Sequence, residues 1–199
     1  VLLHMLQESA WRHAQWFGLG NADLHNKNLF WVLSRQKIAF VRYPQVGEDV
    51  IVNTWPTGKR KMLWLRDFEM KSSSGELLVQ ASSVWIIVDI STKRPYLKND
   101  LTAINLSQYQ IQPFFEVCKV PAPENIDKTD SFTARYYDLD IHKHVNNISY
   151  INRVIESFDY DFLSEFQIKD IEANYLAESK YDNEIQINTS SVNSQIYLH

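Results

Sequence analysis

The stretch Tyr136–Ser157, YYDLDIHKHVNNISYINRVIES, sets a dense polar run directly ahead of an amphipathic segment. Ile148, Ile151, Ile155 and, one step beyond, Phe158 recur at three- and four-residue spacing, which places them on one face of a helix. Asn146 or Asn147 stands where such a helix needs its N-cap. A segment near the start of the chain has the same character. Residues 2–19, LLHMLQESAWRHAQWFGL, bring Leu3, Leu6, Ala10, His13 and Phe17 to one side, and Gly18 and Gly20 supply the stop.

Each helix is followed by strand-like sequence. After the first come residues 31–44 (WVLSRQKIAFVRYP), 49–56 (DVIVNTWP) and 61–71 (KMLWLRDFEMK). The turn SSSG at 72–75 then joins the last of these to 76–90 (ELLVQASSVWIIVDI) as an antiparallel hairpin. The second helix is preceded by a strand leading into a loop, 132–144, and followed by strands at 168–181 and 183–192 around the turn residues Asp182 and Asn183. The order of elements therefore repeats. A long helix packed on a curled antiparallel sheet, twice over, predicts an α+β chain of tandem (double) hot-dog architecture. The expected division is a first repeat at 1–105, a proline-rich linker at 106–130 and a second repeat at 131–199 that stops before its last strands.

Composition narrows the function classes. Apolar residues at 45% and charged residues at 22% describe an ordinary globular chain. Five glycines and a single cysteine exclude a disulfide scaffold, a cysteine-rich zinc module and a glycine-rich phosphate loop, and fit a reducing compartment. No apolar run reaches the roughly 18 residues of a membrane span, and an upstream targeting segment would lie outside this sequence. The net charge of −4 is uneven: residues 1–105 carry 13 Lys/Arg against 9 Asp/Glu, and residues 106–199 carry 7 against 15. Such a chain is a poor nucleic-acid binder, but its basic half could dock an acidic partner.

In the polar run Asp138, Asp140, His142 and His144 alternate, so an extended backbone would project all four to one side. Three readings follow. A carboxylate beside an imidazole, ahead of a helix N-terminus whose N–H groups at Val145, Asn146 and Asn147 could polarise a carbonyl, suits a hydrolase with a dry apolar wall. The same Asp-x-Asp-x-His-x-His pattern supplies metal ligands, although no H-E-x-x-H helix accompanies it. The third reading is a capped helix behind a solvated loop. His4, His13, His25 and His199 are scattered and read singly as packing or surface residues.

The segment DLDIHKHVNNISYINRVIES resembles the signature of the plant and bacterial fatty acyl-ACP thioesterases, D-[LI]-D-[VI]-N-x-H-V-N-N followed by a tyrosine and a helix ending near Glu-Ser. TWPTGKRKMLWLRDFEM, SSVWIIVDISTKRP and ANYLAESKYDNEIQ are similar to further segments of that family, from about residue 31 to 187. The resemblance implies a double hot-dog fold and hydrolysis of a fatty acyl-ACP thioester, which releases free fatty acid and ends chain elongation, with no cofactor or metal. It places Asp140 and His144 at the catalytic aspartate and histidine and Glu178 at the catalytic glutamate. The catalytic asparagine falls at His142. Ser179 stands where plant members carry a cysteine, and a serine hydroxyl is a weak nucleophile without an activating base. These two departures point to a bacterial, cytoplasmic member.

The resemblance also gives the basic half a partner, the acidic acyl carrier protein. Arg35, Lys37, Lys59, Arg60, Lys61, Lys93 and Arg94 are the candidate docking residues. Trp11, Trp16 and Phe17 wall the acyl chain or form a core stripe, and Cys118 in the linker is expected to be structural. An acyl-CoA thioesterase and a noncatalytic acyl-binding module are the alternatives. A tandem chain completes its sheet internally, so a monomer or a homodimer satisfies the fold.

Overall fold

The inner stripe of the first helix anchors the larger of two compact units. The structure, a computed structural model, describes residues 1–98, 100–101, 111–123, 125–193 and 196–198. Parts of the expected linker (106–110 and 124) and His199 lie outside the described residues. One unit comprises Val1–Cys118 with Ile168–Asn174, the other Lys119–Gln167 with Tyr175–His199.

In the first unit α1 (Leu2–Trp16) buries Leu6 and Ala10 and exposes an Arg12–Glu8 pair one turn apart. It ends where the sequence predicts a stop. Gly18 takes φ +67, a conformation that costs a residue with a Cβ, and donates to the carbonyl of Gln15 while Leu19 N–H reaches back to Ala14. A five-residue helix, α2 (Asn21–His25), which no periodicity announced, then seats the fully buried Leu24.

The sheet is antiparallel. It contains β1 (Leu29–Phe40), β2 (Val50–Arg60), β3 (Leu63–Ser72) and β4 (Leu77–Asp89), and its order is β2-β3-β4-β1-β6, where β6 is Asp170–Asn174. The expected hairpin is β3–β4, in register from Leu63 opposite Ile86 to Met70 opposite Val79, with an irregularity before Lys71 opposite Leu77. On the helix-facing side Ile38, Phe40, Phe68, Met70, Val79 and Ala81 close over Leu6 and Ala10. Trp64, Ile87, Leu29, Leu19 and Leu24 form a second apolar cluster. Each fully buried aliphatic side chain here contributes about 1.5–3 kcal/mol.

The opposite face carries one buried charge. Asp67, 1% exposed, accepts the Ser82 hydroxyl on Oδ1 at 2.7 Å and the Phe114 N–H on Oδ2 at 2.8 Å, while Ser82 Oγ accepts the Phe115 N–H at 3.1 Å. Phe114 meets Trp55 edge-on and Phe115 lies under the Lys37 ammonium. Desolvation raises the Asp67 pKa against the opposing effect of its two hydrogen bonds. A carboxyl whose folded pKa exceeds its unfolded one contributes most below the unfolded value of 3.8, and that contribution is lost as pH rises through the folded pKa. The melting temperature of Asp67→Asn relative to the parent is therefore expected to be more favourable at pH 7 than at pH 4. An identical difference at both pH values would remove the desolvation argument.

The second unit holds β5 (Lys128–Thr133), β7 (Glu184–Asn193) and β8 (Ile196–Leu198) in a three-stranded antiparallel sheet, order β5-β7-β8, with helices α3 (Asn147–Glu156) and α4 (Tyr160–Glu165). Ile148 and Ile151 are the buried residues of α3, and Arg153 of that helix lies over the Phe132 ring of β5.

Two expectations need correction. Residues 168–181 do not form one strand of the second repeat: 170–174 pair with the open edge of β1, Ile38 opposite Ile171 and Lys37 ion-paired with Glu172, so this piece belongs to the first unit. Cys118 is exposed and joins neither apolar cluster, so it is no packing residue.

Candidate active site

The polar run is folded back on itself rather than extended. A single 3-10 turn, Tyr136–Asp138, is closed by Asp138 Oδ2 accepting the Arg135 N–H at 2.8 Å. It buries the Asp138 carboxylate against Arg153, whose Nη2 is 3.1 Å from Oδ1. The carbonyl of Asp138 accepts the Asn146 N–H at 2.7 Å and the Ser149 hydroxyl at 3.1 Å, which ties the entry of α3 to this turn. A tight reversal follows. Asp140 N–H donates to His144 O, Lys143 N–H donates to Asp140 O, and Lys143 sits at φ +64. Asp140 Oδ1 accepts the backbone N–H of both His142 (2.8 Å) and His144 (3.1 Å), so the carboxylate is the internal brace of the loop. The expected one-sided array of Asp138, Asp140, His142 and His144 is thus not formed. Among the described residues no group of three or more His, Cys, Asp or Glu stands ready to hold a metal ion.

The reversal delivers His144 to the segment 178–180. His144 faces Lys180 in an isolated antiparallel bridge, and Val145 N–H donates to the Ser179 carbonyl at 2.8 Å. His144 Nε2 lies 3.4 Å from Glu178 Oε2, with side chains 18% and 41% exposed. Ser179 N–H donates to Tyr150 Oη at 3.1 Å, and Tyr175 Oη donates to the Asn147 carbonyl at 3.4 Å, so α3 fixes the far wall too. Ser179 Oγ has no hydrogen-bond partner among the described residues, hence no base to activate it.

At the helix N-terminus Asn146 is the cap, its Oδ1 accepting the Ile148 N–H at 2.9 Å. Of the three candidate oxyanion donors, the N–H groups of Val145 and Asn146 are already bonded, to Ser179 O and Asp138 O. The N–H of Asn147 has no acceptor among the described residues. His144 and Glu178 therefore meet, Asp140 braces the loop that carries His144, Asn147 opens α3 three residues further on, and His142 lies exposed on the loop. Sequence reasoning missed Tyr150, Tyr175 and the Asp138–Arg153 pair. Arg153 and Glu156, three residues apart on α3 and bonded at 2.8 Å, were the signal that this arginine is held in place.

The remaining candidates lie in the first unit. Lys59 and Arg60 end β2, Lys61 follows in the turn to β3, and Lys93 and Arg94 follow β4, at the same end of the sheet. Lys59 and Lys93 lie over the rings of Trp64 and Phe30. Arg35 and Lys37 stand apart in mid-strand, opposite Asn174 and Glu172. Trp16 is 81% exposed and walls no interior, a correction to the expected pocket. Phe17 leans edge-on against His13 and Trp11 is half-buried.

Residues 1–104 match the family model of the acyl-ACP thioesterase N-terminal domain, and residues 122–199 match that of the acyl-ACP thioesterase C-terminal domain. The chain belongs to the acyl-ACP thioesterase family. Among the relatives of this family, the chloroplastic palmitoyl-acyl carrier protein thioesterase of Gossypium hirsutum is 30% identical over 94% of this chain and 48% of its own length. The chloroplastic oleoyl-acyl carrier protein thioesterase of Coriandrum sativum is 24% identical over 96% of this chain and 56% of its own. The chain thus spans about half the length of the curated relatives it matches. The solved acyl-ACP thioesterase of Bacteroides thetaiotaomicron superposes with a TM-score of 0.77 at 29% identity, covering 97% of this chain and 79% of that one. The 12:0-ACP thioesterase of Umbellularia californica reaches 0.82 at 23% identity, covering 98% and 80%, a likeness of fold. The expected α+β tandem hot-dog architecture is borne out. Among the described residues no helix is long and apolar enough to cross a membrane.

Proposed function

We propose that this chain hydrolyses the thioester of a fatty acyl-acyl carrier protein, releases the free fatty acid and so ends chain elongation, as a bacterial cytoplasmic enzyme acting as monomer or homodimer. The observation that carries the reading is the facing pair His144 Nε2 and Glu178 Oε2, on a loop braced by Asp140 at the N-terminus of α3. Glu178, half in solvent and with its carboxylate not consumed by backbone donors, takes a proton from water as the water oxygen bonds to the acyl carbon. The Asn147 N–H receives the developing oxyanion. As the carbon–sulfur bond breaks, the proton that Glu178 took from water goes by way of His144 to the departing thiolate of the carrier, so that carboxylate and imidazole both return to their starting forms. Asp140 holds the loop rather than acting as the base, because its Oδ1 already serves two N–H groups. His142, in the place of the family's asparagine, lends its backbone N–H to that brace.

The basic end of the first unit's sheet, Lys59, Arg60, Lys61, Lys93 and Arg94, is the docking surface for the acidic carrier; Arg35 and Lys37, engaged at mid-strand, are the less suited members of the set. The test is release of free fatty acid from a panel of acyl-ACPs, with the matching acyl-CoAs in parallel. Turnover confined to acyl-CoA would replace the carrier, and binding without turnover would make the chain an acyl-binding module. Reversal of Lys59, Arg60 and Lys61 to glutamate is expected to raise KM for acyl-ACP about 10-fold at low salt, with the gap closing as salt rises. An unchanged KM removes this docking surface.

A further inference from the structure

Tyr150 brings a hydrogen-bond donor to the candidate active site. Residues 144–145 and 179–180 form a short ladder, in which His144 bridges Lys180 and the Ser179 carbonyl accepts the Val145 N–H at 2.8 Å. The next rung is made by a side chain: the Ser179 N–H donates to Tyr150 Oη at 3.1 Å. Tyr150 belongs to the first turn of α3, and a long helical side chain leans back over the turn N-terminal to its own Cα. Its hydroxyl therefore stands at the seam between the open end of that helix and the residue that follows Glu178.

A phenolic hydroxyl that accepts one hydrogen bond still has its own hydrogen to give. That hydrogen has no acceptor among the described residues. The carbonyls of Ser179 and Asn147 are engaged, the first by the Val145 N–H and the second by the Tyr175 hydroxyl at 3.4 Å. The half-buried ring is held in place, with the Tyr175 ring packed against it at 6.4 Å between centroids. Accepting the Ser179 N–H also polarises the O–H bond and strengthens it as a donor. The site has use for such a donor. The N–H groups of Val145 and Asn146 are spent, which among the three candidate N–H groups leaves that of Asn147 for an oxyanion. A tetrahedral oxyanion has lone pairs for two donors or more, and tyrosine is among the side chains that supply them.

We propose that Tyr150 is a catalytic residue whose hydroxyl donates to the thioester carbonyl and, with the Asn147 N–H, holds the oxyanion that forms as water adds. The inference rests on the reading that this chain hydrolyses acyl thioesters, and it adds a named second donor to that reaction. No proton changes owner at this oxygen. The hydroxyl keeps its hydrogen throughout, and the donation strengthens as the carbonyl oxygen gains charge and relaxes when the carbon–sulfur bond breaks. One oxygen thereby serves two tasks. The bond from Ser179 fixes the segment that carries Glu178, and the bond to the substrate leaves from the same atom, so the base and the carbonyl are set at one spacing.

The test separates donating from accepting. Trifluorotyrosine placed at position 150 keeps the ring and the hydroxyl but ionises far below the roughly pH 10 of ordinary tyrosine. As a phenolate it still accepts the Ser179 N–H and can no longer donate. The turnover number for the best acyl-ACP of the panel is expected to fall about 100-fold as pH rises through that ionisation, with KM little changed, relative to a parent in which Glu178, His144 and Tyr175 are the same. Tyr150→Phe is expected to show that loss at every pH. A trifluorotyrosine profile of the parent's shape would make Tyr150 a structural acceptor only and overturns the proposal. A second readout needs no turnover. The infrared stretch of an isotopically labelled thioester carbonyl in decanoyl-ACP bound to Glu178→Gln is expected to lie below that of the free thioester, and adding Tyr150→Phe should reverse part of the shift. A shift that survives Tyr150→Phe, or no shift at all, overturns the proposal too. A Tyr150-dependent shift in a chain whose parent turns over no acyl-ACP defeats the hydrolase reading alone, and turnover indifferent to both changes at position 150 defeats this inference alone.

Discussion

Glu178→Gln is expected to lower the turnover number for acyl-ACP about 1,000-fold, the loss typical of removing a general base, while the melting temperature stays within a degree or two of the parent. The separation of the two effects follows from where Glu178 sits. Among the described residues its ion-pair contact is to His144 at 3.4 Å, at a side chain 41% exposed, and such a contact adds little to stability. Asp140 gives the contrasting pattern. An asparagine at 140 keeps an oxygen for the N–H groups of His142 and His144, so Asp140→Asn should retain turnover within about 10-fold, whereas Asp140→Ala unbraces the loop and should lose about 100-fold. Steady-state rates and thermal unfolding of the three variants decide the matter. Full activity in Glu178→Gln with a dead Asp140→Asn would exchange the two roles.

The residues of this site were legible in the sequence, but their arrangement was not. Asp140, His144 and Glu178 were singled out by the family resemblance that DLDIHKHVNN and ANYLAESKY carry, and the helix behind the loop announced itself through Ile148 and Ile151. Period-two alternation, however, assumes an extended backbone, and a 3-10 turn at 136–138 with Lys143 at positive φ breaks that assumption twice. Neither feature has a strong local signature, since Lys is an unfavoured residue for that conformation. The crossing of 170–174 to β1 was invisible for a different reason. Strand pairing is decided by which edge is open and which side chains meet across it, here Ile38 with Ile171 and Lys37 with Glu172, more than 130 residues apart in the chain. The short helices α2 and α4, five and six residues long, fall below the length at which periodicity can be read.

Arg153→Met is expected to be the most destabilising single change in the second unit that leaves its apolar core intact. Asp138 is 6% exposed, and its carboxylate holds the Arg135 N–H as well as the guanidinium. Removing the cation strands a buried negative charge. Because Arg153 itself is a third exposed, water relieves part of the penalty, and about 2–3 kcal/mol remains, which is about 6–9 °C in melting temperature for a chain of this size. The consequence should reach the chemistry. The carbonyl of Asp138 orients the first turn of α3 through Asn146 and Ser149, so a shift of the 136–138 turn moves the Asn147 N–H, and turnover is expected to fall about 10-fold with KM little changed. The double variant Asp138→Leu/Arg153→Met separates charge from scaffold. Removing both partners eliminates the stranded charge and should recover part of the stability, but not all of it, because Arg135 N–H then has no acceptor. A double variant less stable than Arg153→Met alone would show that the carboxylate's bond to Arg135, not its pairing with Arg153, is what holds the turn beneath the site.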